Sequence, residues 1–322
     1  MKRVDEMKID IVGAGALGLL YGGKLAASGQ QVRFWTRTSE QASRLVSQGI
    51  TLEEGAGRTE VVRGNIGAYP IQEAISRLRT GKDAEWILVM TKQRHIDKAL
   101  ISGIQSLSGK NTKVLCFQNG IGHLELLENA LRSIPVYAAI TTEGAKRTGT
   151  NCVVRSGTGT TSVGLVGNGH LREQPHLKKA AEKLIDAFVT AGFYTLLSKE
   201  IGREIYRKLL INAAINPLTA IWRIPNGELL ETAERTALLK QLCDEAISVY
   251  NAKGVSFEGD AYAQVAEVCR STASNTSSML KDVIQGTPTE IDYINGKLVE
   301  MARLVNIPVP GHETVWRLVR GM

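Results

Sequence analysis

Lys8-Ile9-Asp10-Ile11-Val12 reads as a short, largely apolar strand that runs straight into Gly13-Ala14-Gly15-Ala16-Leu17-Gly18. The helical run Leu19-Leu20-Tyr21-Gly22-Gly23-Lys24-Leu25-Ala26 and a second strand pattern, Gln31-Val32-Arg33-Phe34-Trp35, follow. A lone GxGxxG is weak evidence. One that closes a strand, opens a helix and meets a second strand within about 30 residues marks a dinucleotide-binding βαβ unit. The spacing has a mechanism: Gly13 permits the tight turn, Gly15 lets backbone approach a pyrophosphate, and Gly18 lets the helix pack on the sheet. The anion then sits at a helix N-terminus, where free N–H groups and the dipole favour it. The competing reading is a glycine turn with no ligand.

The end of the second strand discriminates between dinucleotides. NAD enzymes place a carboxylate there for the ribose hydroxyls, whereas a cation accommodates a 2′-phosphate. Here the segment is Trp35-Thr36-Arg37-Thr38-Ser39. Arg37 with flanking hydroxyls suits a phosphate through charge-assisted hydrogen bonds, and NADP is the cofactor expected. A solvated loop cation is the alternative for Arg37.

Strands and helices continue to alternate. Trp86-Ile87-Leu88-Val89-Met90 ends at Thr91-Lys92, Val114-Leu115-Cys116-Phe117 at Gln118-Asn119-Gly120, and Val136-Tyr137-Ala138-Ala139-Ile140 at Thr141-Thr142. The carboxyl ends of parallel strands line the ligand crevice, so Lys92 and Asn119 are candidate contacts. Cys152–Arg155 and Thr161–Leu165 read as antiparallel strands added to one edge of this sheet. A helix around Leu177–Thr190 and a strand Tyr194–Leu197 close the first domain near residue 199.

Composition bounds the rest. The 322 residues are 43% hydrophobic, 22% charged and 5% aromatic, an ordinary globular mixture long enough for two domains. No stretch reaches about 18 consecutive apolar residues, so no membrane span is expected. The charged opening Met1–Glu6 lacks an apolar signal region, Met7 is an alternative start, and a cytoplasmic protein is expected. Cys116, Cys152, Cys243 and Cys269 are scattered and read as buried thiols. His95, His123, His170, His176 and His312 never pair at ligand spacing, and no metal is expected. The net charge of +7 is spread along the chain, which argues against nucleic acid and for attraction of small anions.

From Ile201 onward the pattern is almost wholly helical. In Tyr206–Ile221 the composition is apolar enough for burial all round, yet Lys208, Asn212 and Asn216 recur four residues apart on one face. Buried amides and ammonium groups need partners, supplied by a polar ligand or by another helix. Pro217 is expected to kink or end this helix and free backbone groups. Asn275–Asp282 reads as a run of small polar side chains on one helix, and Glu290–Gly296 as the start of the next, capped by Thr287 or Thr289. The tail Ile307–His312 is a stiff connection to a short final helix.

On these residues the sequence resembles the ketopantoate reductase family over nearly its whole length. The glycine motif, Lys92 and Gln118–Gly122 are shared with that family, but the specific segments are Lys208–Ala220, Pro225-Asn226-Gly227-Glu228-Leu229, Ser277–Leu280 and Thr289–Gly296. The resemblance implies an α/β fold: a Rossmann-type doubly wound sheet over 1–199, then an all-helical domain over 200–322, like 6-phosphogluconate dehydrogenase. It implies NADPH-dependent reduction of 2-dehydropantoate to pantoate on the route to pantothenate and coenzyme A. By position, Lys208 is the implied general acid, and Glu290 orients it and bonds the nicotinamide ribose. Asn212, Asn216 and Asn226 are implied for the substrate's hydroxyl and keto ends, and Ser278, helped by Asn275, for its carboxylate. Gly13, Ala14, Gly15, Ala16, Leu17, Gly18, Lys92, Asn119 and Ala145 match cofactor positions, and Arg37 the 2′-phosphate reader. Arg155, where histidine is common in the family, and His95 are departures that bear on cofactor affinity. The partners expected are a small keto acid and a second copy of the chain in a homodimer. A reductase of another branched keto acid and a non-catalytic NADPH sensor are the alternatives, and retention of Lys208 and Glu290 speaks against the sensor.

Overall fold

The computed structural model describes residues 6–74, 84–167 and 174–322; Met1–Asp5 and His170 lie outside them. The chain divides into two compact units. One takes the described residues through Gln118 together with His123–Ile201, and the other takes Asn119–Gly122 together with Gly202–Met322.

The first unit holds β1 (Lys8–Val12), β2 (Gln31–Thr36), β3 (Ile50–Glu54), β4 (Arg58–Val62), β5 (Ile66–Pro70) and β6 (Trp86–Val89). It continues with β7 (Lys113–Cys116), β8 (Val136–Thr141), β9 (Gly144–Arg147), β10 (Cys152–Gly157), β11 (Thr160–Leu165) and β12 (Tyr194–Leu197). Eight of them form one sheet in the order β12-β11-β8-β7-β6-β1-β2-β5. The six from β8 to β5 are parallel, as crossover helices demand, and β11 runs antiparallel to β8. Buried on both faces, β1 reads as a nearly continuous apolar run. Its one buried charge, Asp10, lies opposite Arg33 on β2 and accepts two guanidinium hydrogen bonds at 2.7 and 2.9 Å. Tyr21, on the inner face of the helix Ala16–Ala27, stacks on Phe193 at 4.0 Å. Its hydroxyl lies 2.6 Å from Thr161 and 3.1 Å from Thr141 across the β11/β8 pair.

One expectation is corrected here. Cys152–Arg155 does not extend the main sheet: β10 belongs to a second sheet ordered β4-β3-β10-β9, parallel to β3 and antiparallel to β9. Alternation marks a strand but leaves its pairing edge open. Cys116, Cys243 and Cys269 are buried and Cys152 is half-buried, all as free thiols.

Among its described residues the second unit is helical, with helices Ile201–Trp222, Ala233–Ala252, Ala261–Ser271, Ser278–Ile284, Asn295–Leu304 and Pro310–Arg320. From Leu209 to Ala220 the first of these is buried almost all round, through Leu209, Leu210, Ala213, Ala214, Ile215 and Leu218. Pro217 does not end it: the helix runs five residues further, to Trp222. Asn275–Asp282 is not one helix. Ser277 caps, its Oγ accepting the Leu280 N–H at 3.1 Å, and the helix begins at Ser278. Glu290 likewise does not open a helix; it precedes a 3₁₀ turn, Ile291–Tyr293, and the next helix starts at Asn295. Thr287 bonds back to Asp282, while the Thr289 hydroxyl accepts the Ile291 N–H. No described helix is long and apolar enough to cross a membrane.

Candidate active site

In the first unit the three glycines have three different surroundings. Gly13 has φ +105°, and a Cβ there would meet Thr91 at 2.8 Å. A Cβ on Gly18 would collide with the Gly13 carbonyl oxygen, so helix and turn touch through backbone. A Cβ on Gly15 would meet nothing within 4 Å. The loop is therefore closed at Gly13 and Gly18, where it packs, and open at Gly15, and Ala14, Ala16 and Leu17 continue it into the first turn of the helix. Gln41, which the sequence alone did not single out, pins the loop by donating to Ala14 O and Thr150 O, both at 2.9 Å.

Register places Val12 beside both Trp35 and Val89, so the ends of β2 and β6 flank the glycine loop. Arg37 is exposed just beyond β2. Beyond β6, Lys92 leads into the 3₁₀ turn Gln93–His95. Burial first, and then the charges of Arg94, Arg37 and Lys92, hold His95 below the usual imidazole range, with Asp97 opposing. These residues make one cationic cluster, to which Arg94 is an addition no motif announced. Trp35 Nε1, Thr91 Oγ1 and Gln118 Oε1, at the ends of β2, β6 and β7, are buried without a protein partner. An open loop at a helix N-terminus, a cationic rim and unmatched polar atoms fit an anionic dinucleotide. Ala145 lies on β9, half-buried against the core. Arg155 is committed elsewhere: it clamps the fully buried Glu143 carboxylate at 2.7 and 2.9 Å and lies 5.2 Å from the Phe193 ring centroid.

In the second unit, Lys208, Asn212 and Asn216 follow one stripe of the helix Ile201–Trp222. Lys208 and Asn212 are half-buried and Asn216 is buried. Burial pulls the Lys208 ammonium down to about 8, against the opposing pull of the Glu290 carboxylate. Glu290 accepts a hydrogen bond from Asn119 Nδ2 at 3.1 Å. Asn119 packs with this unit because the Ile121 N–H reaches the Tyr293 carbonyl at 3.3 Å, beside the Glu290 turn. Lys208, Glu290 and Asn119 thus form one electrostatic group drawn from three distant segments.

A second group forms around Asn226. Its backbone N–H donates to Asn275 O at 3.0 Å and its Nδ2 to Thr272 Oγ1 at 2.9 Å. Asn226 Oδ1 is buried without a partner, an acceptor aimed at no protein donor. Asn275 is exposed in the loop before the cap, and Ser278 is exposed on the first helical residue after it.

A protein-family model described as ketopantoate reductase PanE/ApbA matches residues 9–168, and the model for its C-terminal part matches residues 200–322. A 2-dehydropantoate 2-reductase of Halobacterium salinarum is 30% identical over 314 residues, covering 98% of each chain. The structure of a PanE/ApbA family ketopantoate reductase from Ralstonia eutropha JMP134 superposes with TM-score 0.83 at 26% identity, over 98% of this chain and 97% of that one. A D-mandelate dehydrogenase solved with NADH and anilino(oxo)acetate gives 0.83 at 26% identity, over 98% of both. With both halves matched in order and 98% of the chain covered, the chain belongs to the ketopantoate reductase family.

Proposed function

We propose that this protein reduces ketopantoate (2-dehydropantoate) to pantoate with NADPH, in the cytoplasm, as a step toward pantothenate and coenzyme A. In this reading residues 1–199 hold the cofactor and 200–322 hold the substrate and its proton donor. The observation that carries it is the Lys208–Glu290–Asn119 group. An ammonium with a pKa of about 8 is largely protonated at neutral pH yet gives up its proton more readily than a solvated lysine. Glu290, oriented by Asn119, keeps it charged.

The loop Gly13–Gly18 holds the pyrophosphate. Arg37, Lys92 and Arg94 hold the 2′-phosphate, with no carboxylate in the Trp35–Ser39 segment to repel it. When bound, the reduced nicotinamide supplies the hydride for the keto carbon. Lys208 donates its proton to the keto oxygen and stabilises the negative charge developing there. Asn226 Oδ1 accepts from the substrate hydroxyl, Asn212 and Asn216 bracket the keto end, and Ser278 with Asn275 takes the carboxylate. The likeness to a D-mandelate dehydrogenase favours one second reading, reduction of another 2-keto acid on the same machinery. Initial rates with NADPH and with NADH across a panel of 2-keto acids test both. Ketopantoate with NADPH gives the highest kcat/KM if the proposal holds, and a different keto acid leading the panel favours the second reading.

A further inference from the structure

In an α-helix the N–H of residue 217 would bond the carbonyl of residue 213. Pro217 has no N–H, and its ring crowds that carbonyl. The helix Ile201–Trp222 is nevertheless continuous, and Asn295 Nδ2 donates to the freed Ala213 O at 2.8 Å. The other proton of that amide faces His312 Nδ1 at 3.0 Å, and His312 Nε2 lies 2.8 Å from Leu242 O. A single proton arrangement gives each of these three contacts a donor and an acceptor: both Asn295 N–H bonds point at acceptors, so Nδ1 is bare and Nε2–H donates to the Leu242 carbonyl, while Asn295 Oδ1 stays buried without a protein partner. Glu245 fixes the end of the chain of contacts by accepting the Gly311 and His312 backbone N–H groups at 2.9 and 3.0 Å. Asn295 and His312 are both fully buried.

The deleted rung spans residues 213 to 217, so it follows directly on Lys208 and Asn212 and encloses Asn216. We infer that Asn295 is a positioning residue: its amide replaces the helix hydrogen bond that Pro217 removes and holds Lys208, Asn212 and Asn216 in one register, with neutral His312 locking the amide. This rests on the reading in which that stripe faces the substrate.

A double-mutant cycle with Asn295→Leu and Pro217→Ala tests it, since alanine at 217 restores the missing N–H. Asn295→Leu lowers Tm and cuts kcat with ketopantoate about 10- to 100-fold, as a slightly misplaced donor should, while KM for NADPH changes less than about twofold. Adding Pro217→Ala recovers a large part of both losses. Additive Tm changes would overturn the clamp. Recovery of Tm with kcat equal in all four proteins would overturn the positioning role and leave a structural one. Should Asn295→Leu fail to fold, Asn295→Ser, which keeps one hydroxyl donor, carries the same cycle. Failure of the underlying reading shows separately, as Lys208→Ala retaining turnover, because the Tm cycle does not depend on chemistry.

Discussion

Gly15→Ala adds a methyl group where the protein itself offers no obstacle. Gly15 has φ −80° and ψ −166°, extended values open to any residue, and the new Cβ meets no heavy atom within 4 Å. The substitution should therefore change stability by no more than about 0.5 kcal/mol, under about 2 °C in Tm. The methyl instead occupies the space through which a pyrophosphate approaches the loop. Loss of one hydrogen bond to a charged phosphate costs about 1.5–3 kcal/mol, which weakens NADPH binding about 10- to 150-fold. Gly18→Ala is the control, because its Cβ runs into the Gly13 carbonyl and finds Gly13 C at 3.1 Å. Backbone cannot swing aside as a side chain does, and overpacking of about 1–3 kcal/mol should lower Tm by several degrees. Thermal melts and NADPH titrations on the two variants separate the roles. Wild-type NADPH affinity in Gly15→Ala, or melts equally lowered in both, would refute the assignment of the loop.

Arg37→Ala should weaken NADPH binding about tenfold or more while leaving NADH nearly unchanged; equal loss for both, by fluorescence titration, would deny Arg37 the 2′-phosphate. Arg155→Ala strands the fully buried Glu143 carboxylate and should cost about 3–5 kcal/mol in urea unfolding, and Glu143→Gln should restore part of it. His123 and His312 are both pushed down to about 4 by burial. Their neutral forms thus contribute stability fully present above the unfolded value of about 6.5 and lost as pH falls toward 4, on the order of 3 kcal/mol each. Urea midpoints from about pH 7 to pH 4 should fall accordingly, and a flat profile would contradict the two burials.

What the residues disclosed unaided depended on how local the physics was. Gly13, Gly15 and Gly18 act within six residues, and the structure gives each the surroundings its position implies. The stripe Lys208, Asn212, Asn216 was legible because helical periodicity needs no tertiary information. Pro217 shows the opposite case: the local rule says kink or end, yet the helix runs on, and the freed Ala213 carbonyl takes a donor from Asn295, far along the chain. The second sheet was hidden for the same reason, since β10 takes its partner β3 from a hundred residues earlier. Asn119 was legible as a strand-end residue, but its bond to Glu290 was not. Arg94 carries no motif and joins the cationic cluster only through the 3₁₀ turn that follows β6.

The central claim is that Lys208 supplies the proton, and the pH dependence of kcat/KM for ketopantoate with saturating NADPH tests it most directly. A donor must be protonated, so the rate should hold below the Lys208 pKa of about 8 and fall about tenfold per pH unit above it. Glu290→Gln removes the charge that raises this pKa and should move the limb to lower pH, and Lys208→Ala should abolish the limb together with most of the turnover. A profile flat to about pH 10 in the wild type, or undiminished turnover in Lys208→Ala, would contradict the account.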